Sequence, residues 1–238
     1  MRTALCLLGA LVALAAGCAS DESASLPTGA EHVDLDPTRF GATIDNPYWP
    51  MRPGSRWVYR ETDADGNEQR IVVTVTGRTK RILGVDARVV HDVATEDGQV
   101  VEDTYDWYAQ DEEGNVWYLG EDTKAYEDGG VSTEGSWEAG VDGAEAGVVV
   151  PAEPEPGLRY RQEHLQGEAE DAAEVLSVDG RARVPFGSFD RVLVTRETTP
   201  LEPGLVEHKS YAKGVGPVRA VTVAGGSDRE VLVAFDVP

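Results

Sequence analysis

Short runs of β-branched and aromatic residues alternate with turns rich in Gly, Asp and Asn from residue 57 onward. The run 57–60 leads through the turn 63–67 into a Val-rich run at 71–76, and the run 84–94 is followed by a similar one at 100–109. Alternation of this kind is typical of antiparallel strands joined by tight turns. The composition agrees, because Val favours strands and is far more frequent than Lys in this chain.

The clearest predicted hairpin joins 106–109 to 116–119 through the turn 111–115. Between residues 127 and 157 the pattern weakens, and several Gly and Pro residues predict a long loop there. Residues 169–178 favour a strand or a short helix, because Ala, Glu and Leu dominate them. About ten strands with short connections predict an all-β, mainly antiparallel curved sheet that forms a barrel or half-barrel.

The N-terminus has the pattern of a bacterial export signal. A basic residue, Arg2, precedes an apolar run at 4–16 that is too short to span a bilayer. The run ends in Leu-Ala-Ala-Gly-Cys, which resembles the lipobox, and in that family of signals the Cys becomes the lipidated first residue. We therefore expect a signal peptide at 1–17, a flexible tether at 18–37 lipidated at Cys18 with an acyl chain such as palmitate, and one β domain at 38–238.

The predicted location is the bacterial cell envelope, with the chain anchored to the membrane on its extracytoplasmic side. Cleavage before Cys18 would remove Cys6, the other cysteine, so the mature chain could form no internal disulfide. An ordinary signal peptide with an incidental Cys is the alternative.

The charge is concentrated in the middle of the chain. The formal net charge is −22, and residues 91–179 alone carry 25 acidic and 3 basic groups. The same segment contains eight of the thirteen Trp and Tyr residues. The excess of acidic groups argues against nucleic acid as a partner, because phosphate binding depends on clustered Lys and Arg.

Three motifs resemble a family of uncharacterised secreted bacterial proteins, many of which are lipoproteins. They are Asn-Pro-Tyr-Trp-Pro-x-Arg-Pro-Gly at 46–54, Asp-Trp-Tyr-Ala-Gln-Asp at 106–111 and Tyr-Ala-x-Gly-Val-Gly-Pro-Val at 211–218. The turn 185–189 also resembles the half-barrel envelope proteins of the LolA/LolB type. The first resemblance implies an envelope location without implying an activity. The second implies a curved sheet.

Candidate ligand-binding residues come from the acidic and aromatic middle third of the chain. Carboxylates beside aromatic rings suit a cation, a cationic partner or a sugar, and a carboxylate pair could also hydrolyse a glycoside. The plain alternative is a solvated acidic surface. The residues that we predict to bind a ligand are Asp106, Trp107, Tyr108, Trp117, Glu121, Trp137, Glu163 and Glu170.

No cofactor, catalytic residue or metal site is predicted, although weak candidates for a metal ion are Glu168, Glu170 and Asp171. The turn 63–68 is similar to the start of a calcium loop, but Val72 stands where that loop requires a Glu. We interpret it as a hairpin turn, which leaves calcium as a remote alternative.

The sequence thus favours a lipid-anchored envelope protein that acts as a non-catalytic binding or interaction module. Two alternatives remain open. One is a carrier for an apolar ligand in a half-barrel cavity, and the other is a carbohydrate-active enzyme that uses carboxylates. The sequence does not indicate an oligomeric state.

Overall fold

The computed structural model describes residues 25–126 and 129–238. Within these residues the fold is all-β and mainly antiparallel, with one short 3₁₀ helix at Pro37–Arg39, so the predicted fold class is confirmed. The strands are β1 (Phe40–Gly41), β2 (Arg56–Thr62), β3 (Glu68–Ile82), β4 (Val85–Glu96), β5 (Gln99–Asp111), β6 (Val116–Ala125), β7 (Trp137–Glu138), β8 (Glu145–Val150), β9 (Arg159–Arg161), β10 (Glu163–His164), β11 (Ala172–Val184), β12 (Gly187–Thr198), β13 (Val206–Ala212), β14 (Gly216–Ala224) and β15 (Arg229–Asp236).

Thirteen of these strands follow one another in a single sheet that curves into a nearly closed barrel. Their order is β10-β8-β6-β5-β4-β3-β2-β15-β14-β13-β12-β11-β9, and the short strands β1 and β7 pair with β5 and β6. The first and last strands of this order, β10 and β9, are neighbours in the chain. Strand β10 pairs with β8, and β9 pairs with β11. The sheet therefore has one unsealed seam, which lies between its two end strands, β10 and β9.

The hairpins predicted from the alternating pattern are present. Strands β4 and β5 pair from Arg88–Tyr108 to Glu96–Gln99, and β5 pairs with β6 around the turn at 111–115. That turn is tight because the Asp111 carboxylate accepts hydrogen bonds from the backbone N–H and the side-chain amide of Asn115, both at 2.8 Å. Asp63 binds Asn67 in the same way, so its carboxylate serves the hairpin.

Two expectations about irregular segments are corrected by the structure. Residues 172–184 form a strand, so the short helix that the composition also allowed at 169–178 is wrong. The expected loop at 127–157 contains β7 and β8, which the sequence pattern did not predict. Strand β8 is a continuous run of small and Val residues that is mostly buried, and such runs lack the polar alternation that marks a half-exposed strand.

Residues 25–36 lie along the outside of the seam, and we call them the strap. The guanidinium of Arg161 donates to the Ala146 carbonyl at 2.9 and 3.1 Å, to the Glu31 carbonyl at 2.6 Å and to the Gly29 carbonyl. One buried side chain thus joins β9, β8 and the strap. The strap forms part of the segment predicted as a tether, and the domain division at residue 37 stays a prediction.

Candidate functional site

The concave face of the sheet encloses a cavity of about 350 Å³. Strands with period-two alternation send every second side chain inward. The cavity is therefore lined by Tyr59 from β2, Asp92 from β4, Tyr108 from β5 and Lys209 from β13. A volume of this size suits a small organic molecule.

Aromatic side chains line one part of the cavity, and we call them the aromatic cluster: Trp49, Tyr59, Tyr108, Tyr118 and Tyr211. The ring of Trp49 lies 5.3 Å from Tyr108 and 6.2 Å from Tyr211, and Tyr108 stacks on Tyr118 at 4.8 Å. The indole Nε1 of Trp49 is buried without a hydrogen-bond partner. Trp49 thus links rings from β5 and β13, which lie far apart in the sheet order.

The segment before β2 positions Trp49. Asn46 is 1 % exposed, and its side-chain amide donates to the carbonyls of Gly114 at 2.8 Å and Pro151 at 3.2 Å. Its side-chain oxygen accepts the N–H of Tyr48 at 2.9 Å. These bonds hold Trp49 against the cavity.

Carboxylates line the rest of the cavity, and we call them the carboxylate set: Asp92, Glu121, Glu163, Asp171, Glu197 and Glu230. The one basic side chain among the lining residues that the structure describes is Lys209. Its ammonium lies 2.9 Å from Glu197 and 3.5 Å from Glu207. Burial lowers the pKa of Lys209, but Glu197, Tyr211 and Glu207 together raise it well above the ordinary value, so Lys209 is charged.

The wall formed by β4, β5 and β6 has no such cation among its lining residues. Burial is the main cause that raises the pKa of Asp92 and of Asp106 to about 7, and that of Glu121 to about 8. Repulsion between neighbouring carboxylates raises these values further. At neutral pH these carboxyl groups are therefore partly protonated, whereas carboxyl groups with ordinary pKa values are ionised.

Neutral donors hold these carboxyl groups in place. The Tyr118 hydroxyl donates to Asp106 at 2.7 Å, and the Thr123 hydroxyl donates to Glu121 at 2.9 Å. The Trp137 indole donates to Glu163 at 3.1 Å, and burial is the main cause that raises the pKa of Glu163 to about 8. Glu121 and Glu163 line the cavity and keep further lone pairs that can accept hydrogen bonds.

Of the residues predicted to bind a ligand, the structure brings Tyr108, Glu121 and Glu163 to the cavity, and Asp106 and Trp137 lie directly behind it. The other three lie elsewhere. Trp107 lies beneath Lys80, whose ammonium is 3.1 Å from the ring centroid, and Trp117 donates to Asp111. Glu170 accepts the Gly167 N–H in an exposed turn.

Several cavity residues were missed because they lie outside the acidic middle third. Glu197, Lys209 and Glu230 reach the cavity because the barrel curves β12, β13 and β15 to face β4–β6, and Trp49 reaches it from the segment before β2. The signal in the sequence was the alternation of side chains along β13. Glu207, Lys209 and Tyr211 share one face of this strand, and the buried Ser210 lies on the other face. A charged residue between inward-facing neighbours indicates a polar interior.

The weak metal candidates do not form a site. Glu168 is exposed, Glu170 serves its turn, and Asp171 lines the cavity. Over residues 25–126 and 129–238, no group of three or more His, Cys, Asp or Glu side chains is arranged to hold a metal ion. In the same ranges, no helix has the length and apolarity needed to cross a membrane.

Comparisons with known proteins give little. No protein-family model matches the chain, and no curated protein matches it. Among solved structures, the chain is similar to a Bacteroides fragilis protein that is described as an inferred exported protein with a YmcC-like fold. The TM-score is 0.45 and the identity is 15%. The match covers 80% of this chain and 99% of that one. The chain is also similar to an inferred lipoprotein from Parabacteroides distasonis, with a TM-score of 0.44 and 12% identity. This match covers 79% of this chain and 98% of that one.

Proposed function

We propose that the protein is a lipid-anchored envelope protein whose barrel binds a small organic cation. The supporting observation is the cavity lining, in which six carboxyl groups and five aromatic rings accompany a single lysine. Carboxylates attract a cation, and aromatic faces attract it through their quadrupole while they also cover an apolar body. The proposal gives the predicted binding module a ligand class.

The lining favours a cation over a purely apolar ligand. Binding an apolar molecule would remove water from the carboxylate set without replacing its hydrogen bonds, which is costly for polar groups. An ammonium group replaces that water with charge-assisted hydrogen bonds. The carrier for an apolar ligand is therefore the weaker alternative.

One observation favours a carbohydrate-active enzyme as a second candidate. Glu121 and Glu163 keep their protons near neutral pH, as the general acid of a glycosidase must. Aromatic rings beside them would suit a sugar. Binding and catalysis are separable by experiment, because only an enzyme turns over a substrate.

A matched series of probes tests the proposal. Tryptamine, tryptophol and indole-3-acetate share one aromatic body and differ in charge, so calorimetry with the three isolates the contribution of the ammonium group. We expect tryptamine to bind at least tenfold more tightly than tryptophol, the factor that about 1.4 kcal/mol gives, and indole-3-acetate not to bind. The affinity for tryptamine should rise between pH 6 and 8.5, because the cavity carboxyl groups with pKa values of about 7 to 8 become charged over that range.

Matched variants locate the binding. At pH 8.5, where Glu121 and Glu163 are largely charged, Glu121→Gln and Glu163→Gln should weaken tryptamine binding, whereas Glu134→Gln, an exposed residue of the same acidic segment, should leave it unchanged. Equal binding of tryptamine and tryptophol would contradict the proposal. Hydrolysis of chromogenic glycosides by the wild type, lost in Glu163→Gln, would favour the enzyme instead.

A further inference from the structure

We infer that the outer face of the barrel carries a binding site for a phosphate oxyanion, separate from the cavity. A groove of about 490 Å³ lies between the tip of the β11–β12 hairpin and the outer face of β2 and β15. We call it the arginine groove, and its lining residues are Arg60, Thr62, Arg183, Val184, Pro185, Arg229 and Val231.

The alternation of the strands explains why arginines meet on this face. On β2, Tyr59 points into the cavity, so its neighbour Arg60 points outward. On β15, Glu230 points inward, and Arg229 and Val231 point outward. The register pairs Arg60 with Val231 and Thr62 with Arg229, so these four residues form one patch.

The β11–β12 hairpin supplies the third arginine. Its tip lies against β15, where the Phe186 N–H donates to the Leu232 carbonyl at 3.1 Å. This contact places Arg183 opposite Arg60 and Arg229 across the groove. The groove is thus formed by three separate parts of the chain, β2, the β11–β12 hairpin and β15, and the barrel fold holds them together.

The charges in the groove lack compensation. No carboxylate is among its lining residues, although the chain carries 43 acidic and 21 basic groups. Arg60 has a distant partner, Glu68, at 3.6 Å, whereas Arg183 and Arg229 form no ion pair with any described residue. Arg181, on the same strand as Arg183, pairs with Asp190 at 3.1 Å. Three like charges that converge without a carboxylate repel one another, and a bound anion would offset that repulsion.

Neighbouring positions on the outer face extend the positive charge. Arg70 is directly opposite Arg60 on β3, and Arg219 is directly opposite Val231 on β14. Among the residues that the structure describes, the buried Nε of Arg219 has no hydrogen-bond partner, and its Nη2 lies 3.3 Å from the Ser210 hydroxyl. A buried guanidinium N–H with no acceptor is rare in proteins. It indicates that the patch has N–H donors available to hydrogen-bond an anion.

A phosphate group fits this chemistry. Guanidinium groups bind phosphate oxygens through paired hydrogen bonds, and Thr62 adds a hydroxyl at the same place. The apolar side chains of Val184, Pro185 and Val231 give the groove an additional surface for an organic substituent on the phosphate. Free phosphate compounds and lipid headgroups share this chemistry. The site does not depend on the cation that we propose for the cavity.

The test uses the full chain with Arg183→Gln and Arg229→Gln combined. Inorganic phosphate is titrated by NMR in the wild type and in the variant, with sodium chloride at matched ionic strength as the reference. We expect saturable phosphate binding that the double variant weakens by roughly tenfold or more. Arg181→Gln, which removes a nearby paired arginine, should keep wild-type affinity, and unchanged thermal midpoints will show that the variants are folded.

A vesicle experiment distinguishes the two sources of phosphate. Cys18→Ser, which lacks the predicted acyl chain, is sedimented with vesicles of phosphatidylglycerol or of phosphatidylcholine. Selective binding to phosphatidylglycerol that the Arg183→Gln/Arg229→Gln changes abolish assigns the site to a lipid headgroup. Phosphate binding without vesicle binding assigns it to a soluble phosphate. Equal chemical-shift changes with phosphate and chloride, together with no vesicle binding, overturn the inference.

Discussion

At the scale of single residues, the cavity contains ionisable groups in two different states. Lys209 is charged because Glu197 and Glu207 surround it, whereas Glu121 has no ammonium group in contact and keeps its proton to about pH 8. Both side chains line the same cavity. Burial opposes the charged form of both groups, so the difference between them comes from their charged partners: carboxylates keep Lys209 charged, whereas neighbouring carboxylates add to the effect of burial on Glu121.

The raised pKa values make stability depend on pH. The pKa values of Asp92, Asp106, Glu121, Glu163 and Glu230 are raised to about 7 or 8 in the folded chain, so between about pH 4 and 8 the folded state binds more protons than the unfolded state. The free energy of unfolding therefore falls as the pH rises through this window. We expect the thermal midpoint of the ligand-free protein to decrease from pH 5 to pH 8.5 in calorimetry.

Glu121→Gln removes one of these groups and checks the cause. At pH 9 its midpoint should exceed that of the wild type by roughly 2–4 °C, the shift that about 1 kcal/mol produces in a domain of this size. At pH 5.5, where both side chains are neutral, the two midpoints should agree. Glu134→Gln serves as the exposed control and should follow the wild type throughout. A Glu121→Gln midpoint that tracks the wild type at both pH values would contradict the raised pKa.

At the scale of elements, the seam depends on Arg161. Its guanidinium serves the carbonyls of Ala146, Glu31 and Gly29, and its side chain is 3 % exposed. Truncation would leave buried carbonyls without donors, which costs about 1–3 kcal/mol for each unsatisfied group. Arg161 is therefore a main link between the strap and the seam, and Glu145 of β8 adds contacts with His32 and with the Val33 N–H.

Arg161→Ala should lower the free energy of unfolding in urea by about 2–4 kcal/mol. Hydrogen exchange of the strap amides should accelerate in the same variant, because the strap loses its hydrogen bonds from the Arg161 side chain and keeps those to Glu145 and to the Arg161 N–H. Arg159→Ala is the control on the same strand: its side chain is 74% exposed and pairs with Glu174, so a change below about 0.5 kcal/mol is expected. Equal effects of the two substitutions would argue against the coupling.

The sequence predicted those elements that carry an alternating pattern and a turn. Strands β4, β5 and β6 have both, and their hairpins are present. Strand β8 has neither, because it is a nearly uniform run of small and apolar residues that is buried on both faces. Glu121 and Glu163 could be proposed as ligand-binding residues because they lie in a dense acidic segment. Lys209 could not, since its role depends on which strands face each other across the barrel, and only the closed topology determines that.

At the scale of the whole molecule, charge is arranged by face. Acidic groups line the interior, and arginines gather on the outer surface of β2 and β15. The concentration of acidic residues in 91–179 predicts only some of the carboxylates in the interior. Glu197 and Glu230 also line the cavity, but they come from the nearly neutral C-terminal part of the chain. A binding site for a cation and one for an anion can thus coexist in one strongly acidic protein.

The predicted lipid anchor would also be a property of the whole molecule, and Cys18 lies outside the described residues. We expect the wild-type chain to partition into the detergent phase with the mass of an acylated N-terminal Cys. Cys18→Ala should move the protein to the aqueous phase and remove the added mass. A variant that stays in the membrane fraction at the same mass would contradict the predicted anchor.

The position of the strap also determines how the molecule bears mechanical load. Tension applied at Ser25, where the described chain begins, acts first on the hydrogen bonds from Arg161 to residues 29 and 31 and on the bond from the Arg161 N–H to the Pro27 carbonyl at 2.7 Å. These bonds lie at the seam, where the ladder of strand pairs is interrupted. A pull from an anchored N-terminus would therefore detach the strap first. The hydrogen-bonded strands β2 to β6 would bear no load at that stage, so the seam would open before the cavity deforms.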